Sequence, residues 1–294
     1  MNQYIRVFIV GMAMGVANII PGVSGGTIAV VFGIYEQLME ALGNFLTDKE
    51  NRRRHIIFLS VLFSGSLIAI AGLAGLLKWS FNNYPLITVY LFIGLILGSI
   101  PIVLKVHKDM KPTARRVVVF VLTVGVVVAL ALMQHTAESG EAMNVFSGYT
   151  MGDYLYFAFA GLIAASAMII PGVSGSFILI LLGVYWTVLG ALSGLFTQIT
   201  SAGLSHEVFN RLMILGSLFI GVVMGIFGFS KIMDFLLKRF PALTMYAILG
   251  LIIGSLYQIY PGFEFSIQGA GAVLSLLVGV YISIKFSPKD SKIG

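Results

Sequence analysis

The stretch Asn18-Ile-Ile-Pro-Gly-Val-Ser-Gly-Gly-Thr27 interrupts an otherwise apolar run, and it returns as Met168-Ile-Ile-Pro-Gly-Val-Ser-Gly-Ser-Phe177. Seven consecutive residues agree, Ile19 to Gly25 against Ile169 to Gly175. Proline withholds a backbone donor, and glycine permits dihedrals that other residues avoid. In hydrocarbon such a break is costly unless the freed groups line a protein cavity or meet a ligand. Two such breaks in corresponding halves point to a transporter's binding site.

The composition around the breaks is that of a membrane protein. Of 294 residues 58% are hydrophobic and 10% charged, where a soluble chain carries about 25% charged residues. Several apolar runs approach the ~20 residues that span a bilayer as a helix. The fold class read from this is an all-α polytopic membrane protein. There is no cysteine, which excludes disulfides and thiolate metal sites. His55, His107, His135 and His206 have no metal-ligand spacing and are expected at the interfaces. Neither a metal nor a cofactor is expected. The net charge of +6 is read as a bias of the cytoplasmic loops rather than as nucleic-acid binding.

The first apolar segment, Tyr4 to Ile20, contains Gly11-xxx-Gly15, a spacing that permits close helix contact. A return arm is expected from Ile28 to about Leu46, then spans over 56–77, 86–104 and 117–133. A short polar turn is expected around Lys78, Asn82 and Asn83. The second half repeats the plan, with arms over 154–170 and 177–196 and spans over 212–230, 242–257 and 268–284. Positions 18–46 agree with 168–196 at 12 of 29 residues, and 85–99 with 241–255 at 8 of 15. The organisation expected is a first repeat over 1–133, a connection over 134–153 outside the cytoplasm, and a second repeat over 154–294, all in one membrane domain.

Charge placement sets the expected topology. Basic loops 47–55, 105–116 and 231–239 and the basic tail belong in the cytoplasm, and the acidic connection with Glu138, Glu141 and Asp153 lies outside. These placements agree only if each broken segment starts and ends on the same side, as a re-entrant type of hairpin. Each half is then a hairpin plus three spans, so the halves are inverted, with both termini cytoplasmic. Inverted repeats are typical of alternating-access carriers.

At the tips, Ser24 and Ser174 are expected to cap the departing helices. The amides of Gly25, Gly26 and Thr27, and of Gly175, Ser176 and Phe177, lack intrahelical partners. Each helix start carries roughly half a positive charge, so the paired tips suit an anion such as phosphate. Pro21, Gly22, Pro171 and Gly172 form the breaks. The alternative is a pair of tight structural turns. Asn18 and Thr27 face Met168 and Phe177 in the second copy, so the first tip is the more polar one. Glu36 and Glu40 are candidates for ion coupling, or else lie at the cytoplasmic surface. Arg6, Lys78 and Arg211 are candidates for attracting an anionic head group, or else are interfacial anchors.

The paired Pro-Gly-Val-Ser-Gly motifs, residues 21–25 and 171–175, resemble those of the polyprenyl-phosphate transporter family, and the resemblance covers essentially the whole chain. It implies a translocase in the bacterial plasma membrane, moving undecaprenyl phosphate from the outer to the inner leaflet for reuse in peptidoglycan and envelope synthesis. It implies the lipid and the bilayer as partners, with protons or sodium as coupling ion. The motif is also similar to the Pro-Gly-x-Ser-Arg-Ser element of membrane undecaprenyl-pyrophosphate phosphatases. That element's arginine position is Gly25 here, and Gly175 in the second copy. Phosphoryl transfer would lack its charge stabiliser, so a non-enzyme is expected. A carrier of a small soluble anion is the third reading.

Overall fold

The computed structural model of the chain describes residues 3–19, 24–104, 109–137, 149–202, 205–263 and 265–286. Among them are twelve helices and no strand. The first six are α1 (Gln3–Ile19), α2 (Gly25–Val31), α3 (Tyr35–Asn44), α4 (Arg52–Asn83), α5 (Pro85–Val103) and α6 (Ala114–Ala137). The next six follow the same order of long and short: α7 (Met151–Ile169), α8 (Gly175–Leu181), α9 (Tyr185–Ala202), α10 (His206–Arg239), α11 (Pro241–Ile259) and α12 (Ile267–Phe286). Six of them (within α4, α6, α7, α10, α11 and α12) are long and apolar enough to cross a membrane, and up to eight spans result if each bent helix pair counts as one.

Three expectations are corrected. Each return arm is split, at Phe32–Ile34 and again at Leu182–Val184. Gly33 and Gly183 stand there at φ 67° and 70°, a left-handed conformation that costs a non-glycine residue about 1–2 kcal/mol. The hydrogen bonds agree residue for residue. Phe32, Gly33 and Ile34 donate to Ile28, Val30 and Ala29, while Leu182, Gly183 and Val184 donate to Ile178, Ile180 and Leu179. Between α8 and α9 the bend is 113°.

Second, the polar stretch around Lys78, Asn82 and Asn83 is no turn but the end of α4. Third, the basic stretch 231–239 is no loop but the end of α10. At 32 and 34 residues these helices are roughly 50 Å long at ~1.5 Å per residue. A hydrocarbon core is about 30 Å thick, so their polar ends continue as helix outside it. His55, expected at an interface, is buried in the first turn of α4.

Two compact units are present, and neither coincides with a sequence half. One comprises 1–129, 170–173 and 231–294; the other comprises 130–169 and 174–230. In the first unit α1 packs along α4 and α5 along α12. The second has a core of Phe157, Ala160, Val184, Ala191 and Ile214.

Close glycine contacts carry the repeat into three dimensions. A Cβ at Gly11 of α1 would fall on the carbonyl oxygen of Leu62 in α4, and one at Gly65 on that of Phe8. In the second unit the same holds for Gly161 against Leu218 and Gly221 against Ala158. Each residue is the sequence counterpart of its partner in the first set. The first half's α5 packs by Gly94 on Leu276 of α12, and the second half's α11 packs by Gly250 on Phe120 of α6. These too are counterparts, but here each half lends a helix to the other. Without a hydrophobic drive between helices in lipid, such backbone approach is what holds them together.

Candidate functional site

The first tip is built from both breaks. Pro21 and Gly22 lie outside the described residues, and the description begins again at Ser24. Ser24 is an extended N-cap (φ −103°, ψ 145°) whose Oγ accepts the Thr27 amide at 3.1 Å, as expected of it. The Gly25 amide donates to Oδ1 of Asn18 on α1 at 2.9 Å. A third donor comes from the other break. The Gly172 amide reaches Ser24 Oγ at 3.2 Å and Thr27 Oγ1 at 3.0 Å. Gly172 has φ 82°, and a Cβ there would meet the Leu251 carbonyl and Ser255 of α11. Only glycine lets this backbone approach so closely.

Proton bookkeeping at this tip leaves a donor unspent. Ser24 and Thr27 oxygens lie 3.1 Å apart. Either hydroxyl can donate to the other, and the single Gly172 N–H is shared between the two oxygens. Whichever way that bond runs, one hydroxyl hydrogen of the pair finds no acceptor among the described residues. Ser24 is 6% exposed and Thr27 1%. An unmatched buried donor costs about 1–3 kcal/mol.

From its serine onward the second tip has the same backbone form and different bonds. Ser174 is again an extended N-cap (φ −96°, ψ 126°), but its side chain makes no capping bond, contrary to expectation. It pairs instead with Ser176 Oγ at 2.8 Å, on an exposed surface. Ser176 stands where the first tip has Gly26, so it offers a side-chain partner that the first tip lacks. Phe177 replaces Thr27 and is buried. Met168 replaces Asn18 and has no oxygen to offer Gly175.

The remaining candidates disperse. Arg6 Nη2 donates to the carbonyl of Phe32, at the end of α2, at 2.9 Å. Its counterpart Tyr156 donates by its hydroxyl to Leu182, at the end of α8, also at 2.9 Å. Arg211 is not at an open mouth. It is buried, donating to Gly190 O at 2.6 Å and to Glu207 Oε1 at 2.8 Å. Lys78 lies in the last turns of α4. Glu36 is exposed on α3, and Glu40 is 3.5 Å from Lys238 Nζ, a pair at the surface. Lys238 also holds Asp234, which accepts from Asn44 Nδ2 at 2.8 Å. Sequence reading missed Gly172 as a donor and Arg6 as a helix cap. The signal for the second was the pairing of position 6 with 156, two different residues sharing the ability to donate.

Chemically, then, a helical membrane protein carries two breaks of one sequence design, with hydroxyls and amides gathered at the first. A profile of the undecaprenyl phosphate translocase-like family matches residues 14–276. A polyprenyl-phosphate transporter of Vibrio cholerae is 33% identical over 270 residues, covering 88% of this chain and 78% of its own length. One of Staphylococcus aureus is 31% identical over 280 residues, covering 93% of each. The chain belongs to the undecaprenyl phosphate translocase-like family. No solved structure matches it.

Proposed function

We propose that this protein carries polyprenyl phosphate from the outer to the inner leaflet of the bacterial plasma membrane, returning the lipid carrier for reuse. The observation that carries the reading is the buried Ser24–Thr27 hydroxyl pair beside the Gly172 amide, with one hydroxyl hydrogen unspent among the described residues, at a break within apolar helices. A phosphate monoester carries about −1.5 to −2 charges near neutrality and presents three strong acceptor oxygens. One such oxygen accepts the remaining hydroxyl hydrogen of the Ser24–Thr27 pair. Asn18, Gly25 and Gly26 complete the first tip; Ser174 and Gly175, which match Ser24 and Gly25, and Ser176 in place of Gly26 are the corresponding candidates of the second. Because Ser24 and Thr27 are buried, a head group reaches them only when the surroundings open, which fits alternating access.

Inverted halves are part of the proposal. Basic residues sit at the start of α4 (Arg52, Arg53, Arg54) and at the end of its counterpart α10 (Lys231, Lys238, Arg239). The positive-inside rule turns the two helices in opposite directions, which puts both termini in the cytoplasm. A proton or sodium gradient drives transport in this scheme, with Glu36 and Glu40 as the carboxylates to test. No catalysis is assigned, since Gly25 and Gly175 stand where phosphoryl transfer needs its arginine.

The test is a leaflet-resolved assay of undecaprenyl phosphate in cells lacking this protein and any redundant carrier. The surface pool should rise. An unchanged pool contradicts the assignment, and release of inorganic phosphate from the pyrophosphate-linked lipid by the purified protein would turn it into an enzyme.

A further inference from the structure

We infer that Arg6 and the apolar cavity beside it form a seat for the phosphate-proximal end of the lipid, distinct from the tips. The inference rests on polyprenyl phosphate being the substrate. The cavity has a volume of about 210 Å³ and is walled by Arg6, Ile9, Val10 and Ala13 of α1, by Phe32, by Leu91 and Leu95 of α5, and by Ile282 of α12. Among the described residues Arg6 is the only charged one in that wall. Ile9 at its edge is 39% exposed, an apolar surface suited to hydrocarbon.

A cation beside such walls needs a reason. Capping α2 does not supply one. The counterpart carbonyl of Leu182 is capped by Tyr156, which is neutral. One N–H of the Arg6 guanidinium meets the Phe32 carbonyl, and the group has five. The charge is therefore more than the cap requires, and an anion is the partner that matches it.

The walls identify what the anion is attached to. Apolar lining begins directly next to the guanidinium. In a polyprenyl phosphate the hydrocarbon begins one oxygen from phosphorus. In a glycerophospholipid the ester groups intervene, and in this cavity their oxygens would be buried without donors. An apolar cavity of ~150 Å³ takes benzene, so this one takes about one to two five-carbon isoprene units. The seat thus reads the junction of head group and chain, not the length of the tail.

The experiment uses the full protein in detergent, with equilibrium binding of undecaprenyl phosphate, farnesyl phosphate, undecaprenol, phosphatidylglycerol and inorganic phosphate. Arg6→Tyr copies the second half's cap. It should keep the melting temperature and weaken both prenyl phosphates tenfold or more, with undecaprenol unchanged. Ala13→Phe fills the cavity and should weaken undecaprenol as well. Arg6→Lys keeps the charge and should bind within a few-fold of wild type, which serves if the tyrosine variant is unstable. Wild-type binding by both Arg6→Tyr and Ala13→Phe overturns the seat and leaves the transport reading standing. So does equal displacement by phosphatidylglycerol, which would make it a general anionic-lipid site. A wild-type protein that binds no prenyl phosphate at all defeats the transport reading itself.

Discussion

The two breaks share a sequence motif and the short helix that follows it, and differ in the side chains around them. Both run Pro-Gly-Val-Ser-Gly into a seven-residue helix that stops at a left-handed glycine. At the first, Asn18, Ser24 and Thr27 hold three amides, one of them from the second break. At the second, Ser174 and Ser176 hold each other. The caps differ likewise, a charged Arg6 against a neutral Tyr156. The difference teaches that the break itself is scaffold, since it survives in both copies. Chemistry has been concentrated on one copy.

That contrast can be broken by exchanging equivalent residues. The largest effect is expected at the serines. Ser24→Ala removes a buried acceptor of two amides, and transport in proteoliposomes should fall tenfold or more. Ser174→Ala removes only an exposed hydroxyl pair and should cost less than the Ser24 change. Equal losses would erase the asymmetry. Scaffold positions should behave the opposite way, alike in both halves. Gly65→Leu and Gly221→Leu each drive a side chain into a facing carbonyl, and each should destabilise by about 1–3 kcal/mol or more, read from thermal unfolding in detergent. Smaller again are Gly33→Ala and Gly183→Ala, each losing about 1–2 kcal/mol to the left-handed backbone. A loss confined to one half would mean the repeat is not carried by these bends. The smallest change belongs to Glu40→Ala. Its 3.5 Å ion pair with Lys238 is 47% exposed on the glutamate side and 60% on the lysine side, so stability should move by only about 0–1 kcal/mol.

Much of this was legible before any coordinates, and the failures have physical causes. The Pro-Gly breaks, the Gly11-xxx-Gly15 contact and the Ser24 cap follow from residue chemistry alone. The splits at Gly33 and Gly183 were hidden because Phe32 and Ile34, like Leu182 and Val184, keep the run apolar. Hydropathy reports burial and does not report backbone direction. The ends of α4 and α10 were hidden by the reverse effect. Polar residues such as Asn82 and Lys231 look like loops, yet a membrane helix leaves the bilayer without unwinding. A sequence-level hint existed in Asp234 and Lys238, an i,i+4 pair that supports helix. The lending of α5 to α12 and α6 to α11 could not be read at all. A repeat fixes which positions correspond and leaves open whether they pair within a half or across halves. The reach of Gly172 to Ser24 and Thr27 was invisible for the same reason.

The central claim is that these breaks move a lipid phosphate across the membrane. Its most direct test is reconstitution of the protein into liposomes carrying undecaprenyl phosphate in one leaflet, with its appearance in the other followed over time. Wild-type protein should accelerate the crossing well above protein-free liposomes. The double variant Ser24→Ala, Ser174→Ala, inserted to the same level, should return it to that background. Wild-type flux in the double variant would contradict the account and leave the tips as structural turns.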